Sequence, residues 1–338
     1  MCLIDKLKSI KSLSIVGIEK NTGKTETLNY VIKLLKKNNY DFGLTSIGID
    51  GESVDQVTNT KKPNILIPEN TYFTTSESHF KQKQFLAEIF SVSEKSTSIG
   101  RLVTAKSLEN GKILLSGPQN VSWLKQIIEN MLNHEIDIVL VDGAISRLSL
   151  SSPNITDAMI LATGAAFSLN MNELIKKTKH TVTLINLEKY ESNKLPSIKK
   201  IKEGIFYIDN NEEIKKLPIE SFLHFRKLEK NLIEYGKTFF IKGALTNNFF
   251  KYINTQKNIN EIIFVVDDYT KIFVDTDVFN IFLKKGGKLK VLEKTNLIAV
   301  TVNPTSPSGY SLNKETLKES LQKEINVPVI NVLDGDLK

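Results

Sequence analysis

The stretch SLSIVGIEKNTGKTETLNYVIKLLKK, residues 12–37, sets Gly23, Lys24 and Thr25 directly after an apolar run and directly before a helical pattern. In that setting each residue type has a chemical use. Glycine lets the main chain wrap closely around an anion, and a helix start aims N–H groups and its positive dipole end at one point. Lys24 would reach the β- and γ-phosphates of a nucleotide, and the Thr25 hydroxyl would bind Mg²⁺. Gly17 opens this loop, Asn21 and Thr22 form its crest, and Glu26 closes the set of nucleotide-contacting residues. Lys20 either leans over the phosphates or is one more surface lysine. Five residues separate Gly17 from Gly23, one more than the usual phosphate loop has.

A loop alone is weak, since Gly-Lys-Thr arises easily in a lysine-rich chain. Nucleotide hydrolysis also needs a carboxylate near the metal, at the end of a buried strand beside the loop strand. IVLVDGA supplies one: four apolar residues, then Asp142 and Gly143. Asp142 by itself reads as a turn residue; loop and acid together, in chain order on apolar strands, describe a nucleotide site. Arg147 lies five residues further on, in a chain with only Arg101 and Arg226 besides. It would neutralise charge on a transferred phosphoryl group, clamp a substrate carboxylate, or pair with a neighbouring acid. Ser149, Ser151, Ser152 and Thr156 beside it suit a mobile loop, and Asp157 suits a cap before the next strand.

These residues need elements to hold them. Leu28, Val31, Ile32 and Leu35 recur at i, i+3, i+4 and i+7, which predicts a helix from about Thr25. Strands are expected at Leu13–Val16, before Asp50-Gly51, at IVLVD, at AMILATG and at TVTLIN, with helices SWLKQIIENMLNHE and NMNELIKKTK between. The strands are continuous apolar runs in alternation with helices, so the expected fold class is α/β, a parallel sheet covered on both faces. The loop-bearing domain would span residues 1–196. Within it, residues 51–118 read as short strands and hairpins, a β-rich insertion. Lysine-rich KLPSIKKIKEG suggests a boundary, with 197–338 as a C-terminal α/β region in which Asp267 and Asp268 end a strand.

The longer loop spacing resembles that of dethiobiotin synthetase and the cobyric-acid-type amidotransferases, members of the P-loop class, over roughly residues 10–190. GIEKNTGKTETLN, TSIGIDGE and VDGAISRLSLSSPNITDAMILATGAA, with VNPTSPSGY near the end, narrow it. Together they resemble the P-loop subunit of the lysine 5,6-aminomutase reactivase of amino-acid-fermenting bacteria. That resemblance implies ATP and Mg²⁺ as cofactors, a second reactivase subunit, and a B12-dependent aminomutase whose damaged cofactor is released. It also implies that Asp50, or Glu52 in its place, after the second strand, orients water or touches the metal through water, although Asp-Gly is equally a turn signal. Thr25, Asp50 and Asp142 would then be the metal residues, and Asn186 would read the adenine edge, with Asn303 the alternative. Two other readings stay open: an ATP-dependent ligase or synthase of the dethiobiotin type acting on a small carboxylate, and a nucleotide-bound module with negligible turnover.

Bulk properties set limits. Hydrophobic content of 41% and charged content of 25% are those of a globular protein. No run is long and apolar enough to span a membrane, MCLIDKLKSIKSLSIVG lacks a signal-peptide layout, and a single cysteine, Cys2, leaves no internal disulfide. A cytoplasmic home is expected. The net charge of +7 is spread over lysines along the whole chain, without the arginine clusters that read nucleic acid. His79, His134, His180 and His224 lack metal-ligand spacing, and neither a G-x-S-x-G elbow nor a G-x-G-x-x-G fingerprint occurs.

Overall fold

Runs such as IVLVD and AMILATG have no polar side to offer water, so each must lie in a sheet covered on both faces. The computed structural model, which describes residues 3–48, 65–143, 155–219 and 231–333, has this arrangement. The chain divides into two units, Met1–Lys179 with Asn296–Lys338, and His180–Thr295. The first holds β1 (Ser12–Gly17), β2 (Phe42–Ser46), β3 (Ile65–Ile67), β4 (Tyr72–Ser76), β5 (Ala87–Thr97), β6 (Gly100–Ser107), β7 (Gly111–Ile113), β8 (Ile138–Asp142) and β9 (Ala158–Gly164). The second holds β10 (Gly204–Ile208), β11 (Ile214–Lys216), β12 (Thr238–Lys242), β13 (Leu245–Thr246), β14 (Ile263–Val266), β15 (Ile272–Phe273) and β16 (Lys288–Val291). The chain then returns to the first unit for β17 (Leu297–Asn303) and β18 (Val329–Asn331).

Nine of the described strands form the main sheet, in the order β18-β17-β9-β1-β8-β2-β4-β6-β5. From β18 to β4 every neighbouring pair is parallel, and β6 and β5 continue the sheet antiparallel. Strand β8 shows how both faces are covered. Ile138 and Leu140 belong to the core that includes Leu28, Val31, Ile32 and Leu35 of the helix Lys24–Lys37. Val139 and Val141 pack on the opposite face with Leu124, Ile127, Ile128 and Met131 of the helix Val121–Leu132. Full burial of each such side chain contributes about 1.5–3 kcal/mol. Asp157 holds the start of β1, its Oδ2 accepting the Lys11 and Ser12 amides at 2.8 and 2.9 Å, as a strand-preceding cap should.

Three expectations are corrected. The boundary near residue 197 does not separate two successive domains: β17 pairs with β9 from Met159 to Gly164, so the C-terminal strands complete the first sheet and residues 180–295 are an excursion from it. The 51–118 region is β-rich where described, yet β4, β6 and β5 extend the main sheet rather than forming a layer of their own. TVTLIN is not a strand, because the helix that begins at Met171 runs on to Ile185. Leu174, Thr178, Val182 and Ile185 are all buried, and that i, i+4, i+8, i+11 stripe outweighs the β-branched composition of the run.

In the second unit β12, β14 and β16 are parallel and β10 is antiparallel to β12. Phe249, Phe250, Phe264, Phe279 and Phe282 fill one side with edge-on contacts such as 5.1 Å between the Phe249 and Phe264 centroids. On the incoming chain Tyr190 donates its amide to the Val291 carbonyl and the Glu188 carbonyl accepts the Val291 amide. This parallel bridge sets Lys189 opposite Val291 and clasps together the segments that enter and leave this unit. Asp267 pairs with the buried Lys242 ammonium. Asp268 accepts the Thr270 amide at 2.8 Å as a cap, the turn role open to it from sequence.

His180 donates from Nε2 to the Val274 carbonyl at 2.9 Å and stands edge-on to Phe279. Burial holds its pKa below the ordinary value, with the Val274 bond and the Asp275 charge opposing. The folded imidazole therefore stays neutral where the unfolded one would take a proton. Its contribution is fully present above the unfolded pKa of about 6.5 and is lost as pH falls through that value toward the folded pKa. Comparing urea midpoints of wild type and His180→Gln at about pH 7.5 and 5, the wild type should lose more on acidification; equal losses would remove this role.

Candidate functional site

The loop begins where β1 runs out of partners. Gly17, its last residue, lies opposite Ala162 of β9, and the Ile18 amide donates to the Ala162 carbonyl at 2.9 Å. The chain then reverses in a turn whose Asn21 takes φ 61°, a left-handed conformation asparagine tolerates. The Thr22 hydroxyl donates to the Glu19 carbonyl at 2.8 Å. Asn21 is exposed on the crest as expected, but Thr22 is not: it is 1% exposed, its hydroxyl turned inward to close the turn. Gly23 follows at φ 95° and starts the helix without a side-chain cap.

That helix start breaks two local rules. An uncapped end leaves its first N–H groups to another partner, and Lys24 sets a cation against the positive end of the dipole. Sequences depart from such rules chiefly at functional positions. The Lys24 ammonium crosses to the end of the neighbouring strand and donates to the Gly143 carbonyl at 2.9 Å. Thr25 and Glu26 are half-buried in the first helical turn, and Lys20 is exposed.

Asp142 ends β8 between two parallel neighbours, in register with Ile15 of β1 and Ser46 of β2. Its carbonyl accepts the Ile47 amide at 3.1 Å and the Ser46 hydroxyl at 3.2 Å, while Gly143 donates to the Ile15 carbonyl at 3.0 Å. The loop lysine thus reaches the residue that follows Asp142, at the carboxyl end of adjacent strands, where open α/β sheets bind ligands.

No family model, curated protein or solved structure matches the chain. The chain is a mixed α/β protein with a large, mostly parallel sheet, and among the described residues no helix is long and apolar enough to cross a membrane.

The other sequence candidates divide. Asp50, Glu52, Arg147, Ser149, Ser151 and Ser152 lie outside the described residues. Thr156 is held rather than loose, donating to Ser14 Oγ at 3.1 Å and the Ala158 carbonyl at 3.0 Å. Asn186 belongs to the second unit and follows a helix, its amide donating to the Val182 carbonyl, so the strand-end argument for it fails. Asn303 does end a strand, and it reaches the loop: a methyl group at Gly23 would lie 2.7 Å from Asn303 Cβ. Its carbonyl passes so near Gly164 that a side chain there would meet it at 2.2 Å.

Sequence reading missed a second tie between loop and β17. Thr27 Oγ1 lies 2.7 Å from Thr301 Oγ1 and 2.8 Å from the Gly23 carbonyl, all three groups buried. The signal was present as polar residues inside apolar stretches, Thr27 on the helix and Thr301 within LIAVTVN. Gly23→Ala should strain the left-handed position and push on Asn303, lowering stability by about 2 kcal/mol. A denaturant titration reads this, and an unchanged midpoint would deny Gly23 its conformational role.

Proposed function

We propose that this chain is a P-loop ATPase that binds Mg-ATP at Gly17–Thr25 and acts with a partner subunit on a B12-dependent amino-acid aminomutase, releasing its damaged cofactor. The observation that carries the nucleotide reading is the reach of Lys24 from an uncapped, glycine-started helix to the end of the Asp142 strand. The residues fit an anion: Gly23 starts the helix with no side-chain cap on its first N–H groups, and Lys20 and Lys24 supply positive charge. Lys24 would exchange its carbonyl partner for a phosphate oxygen. Thr25 and Asp142 are the residues that would hold the metal, which when bound neutralises charge on the phosphates.

Among the described residues no group of three or more His, Cys, Asp or Glu side chains comes together. The ion would therefore take most of its ligands from phosphate and water, as Mg²⁺ commonly does. The aminomutase partner and the second subunit rest on the resemblance of the loop, acid and VNPTSPSGY motifs. Within that reading, Asn303, which ends β17 seated against Gly23, is the asparagine to meet the nucleotide.

Lys24→Ala should fold and lose ATP affinity by roughly 100-fold, the worth of about two charge-assisted hydrogen bonds. Asp142→Asn should keep binding but lose Mg²⁺-dependent turnover. Calorimetry and phosphate release, each with and without a B12-dependent aminomutase, make the test. Unchanged affinity in folded Lys24→Ala rejects the loop. ATP consumption that needs a small carboxylate and ignores the aminomutase rejects the reactivase role and favours a ligase.

A further inference from the structure

A second concavity on the first unit, of about 560 Å³, is formed by residues outside the loop site. That volume is in the range of small-molecule sites. Among the described residues that line it, Lys83 and Lys112 supply two cations and Gln82, Gln84 and Asn110 three amides, with no aspartate or glutamate. His79 also contributes, a buried imidazole whose Nδ1 lies 2.7 Å from Ser116 Oγ.

The Lys83 charge is positioned rather than loose. The Lys83 ammonium sits 4.4 Å from the Phe80 ring centroid and 5.8 Å from that of Phe85, a cation–π arrangement that fixes it at the rim. Asn110 accepts the Glu69 amide through Oδ1 at 3.0 Å, which leaves its NH₂ end as the donor to offer. The wall at Gly111 is bare main chain backed by Phe85, and a methyl group there would meet the ring at 2.2 Å. Leu66 and the half-buried Leu114 add apolar surface to the lining.

We propose that this pocket binds a small organic carboxylate, its charge shared between Lys83 and Lys112 and its carbon skeleton against Leu66 and Leu114. Two lysine cations, with amide N–H groups beside an apolar wall, favour an acceptor-rich anion with a short hydrocarbon body over a cation, a neutral sugar or a bare inorganic ion. The pocket stands independently of the nucleotide reading, since none of its residues belongs to the loop or the Asp142 strand.

The test uses the full chain at fixed ionic strength, with adipate as probe and its neutral diamide, adipamide, as control. Adipate should raise the melting temperature saturably and adipamide should not. Lys83→Gln/Lys112→Gln should weaken adipate at least about 10-fold, and Lys83→Arg should retain it. Retention of the adipate response in Lys24→Ala would separate this pocket from the phosphate loop, even if that loop fails as a nucleotide site. The proposal is overturned by the absence of a saturable response, by equal binding of adipamide or inorganic phosphate, by undiminished binding to the double variant, or by loss in Lys24→Ala.

Discussion

Everything at the carboxyl end of the main sheet depends on one strand being enclosed. All six residues of Ser12–Gly17 are buried, with parallel partners on both sides. A strand so placed cannot slip by one residue without turning its core face to the wrong side. That fixed register brings Asp142 beside Ile15 on one flank and Ala162 beside Gly17 on the other. The loop, the acid and the end of β17 are near one another because the hydrogen-bond ladders leave no other alignment.

Much of this was legible in residue types. The helix after Gly23, the strands IVLVD and AMILATG and the helix after Asn120 follow from periodicity, and each is where its pattern put it. Local rules failed in two ways. TVTLIN combines β-branched residues with a helical stripe, and tertiary burial of Val182 and Ile185 decided for helix. The partnership of β17 with β9 has no local signature at all, since an apolar run announces burial but not the strand it will lie against. The place of Asn303 beside Gly23 could be seen only once that pairing was known.

The excursion through residues 180–295 hid the boundary for a related reason. Its strands and helices carry the same kinds of apolar pattern as the first unit, so periodicity marks neither junction, although 11 of the chain's 17 phenylalanines fall within it. What distinguishes it is a core built largely of phenylalanine, with rings meeting edge to face. Such contacts contribute about 0.5–1.5 kcal/mol each beyond the area they bury. Lysine-rich KLPSIKKIKEG, which looked like a linker, instead includes a short helix whose Ile198 is buried in that unit's second core.

The clasp between Lys189–Tyr190 and Val291 bears on the order in which the chain can assemble. Joining β17 to β9 closes a span of about 130 residues, an entropic cost of about 4 kcal/mol for a featureless chain. With the insert already folded and its ends fastened, the effective span shrinks to about 30 residues and the cost falls by about 1 kcal/mol. An insert that folds before the host sheet closes would thus act as a kinetic aid to its host, bringing the last two strands nearer in chain terms to β9.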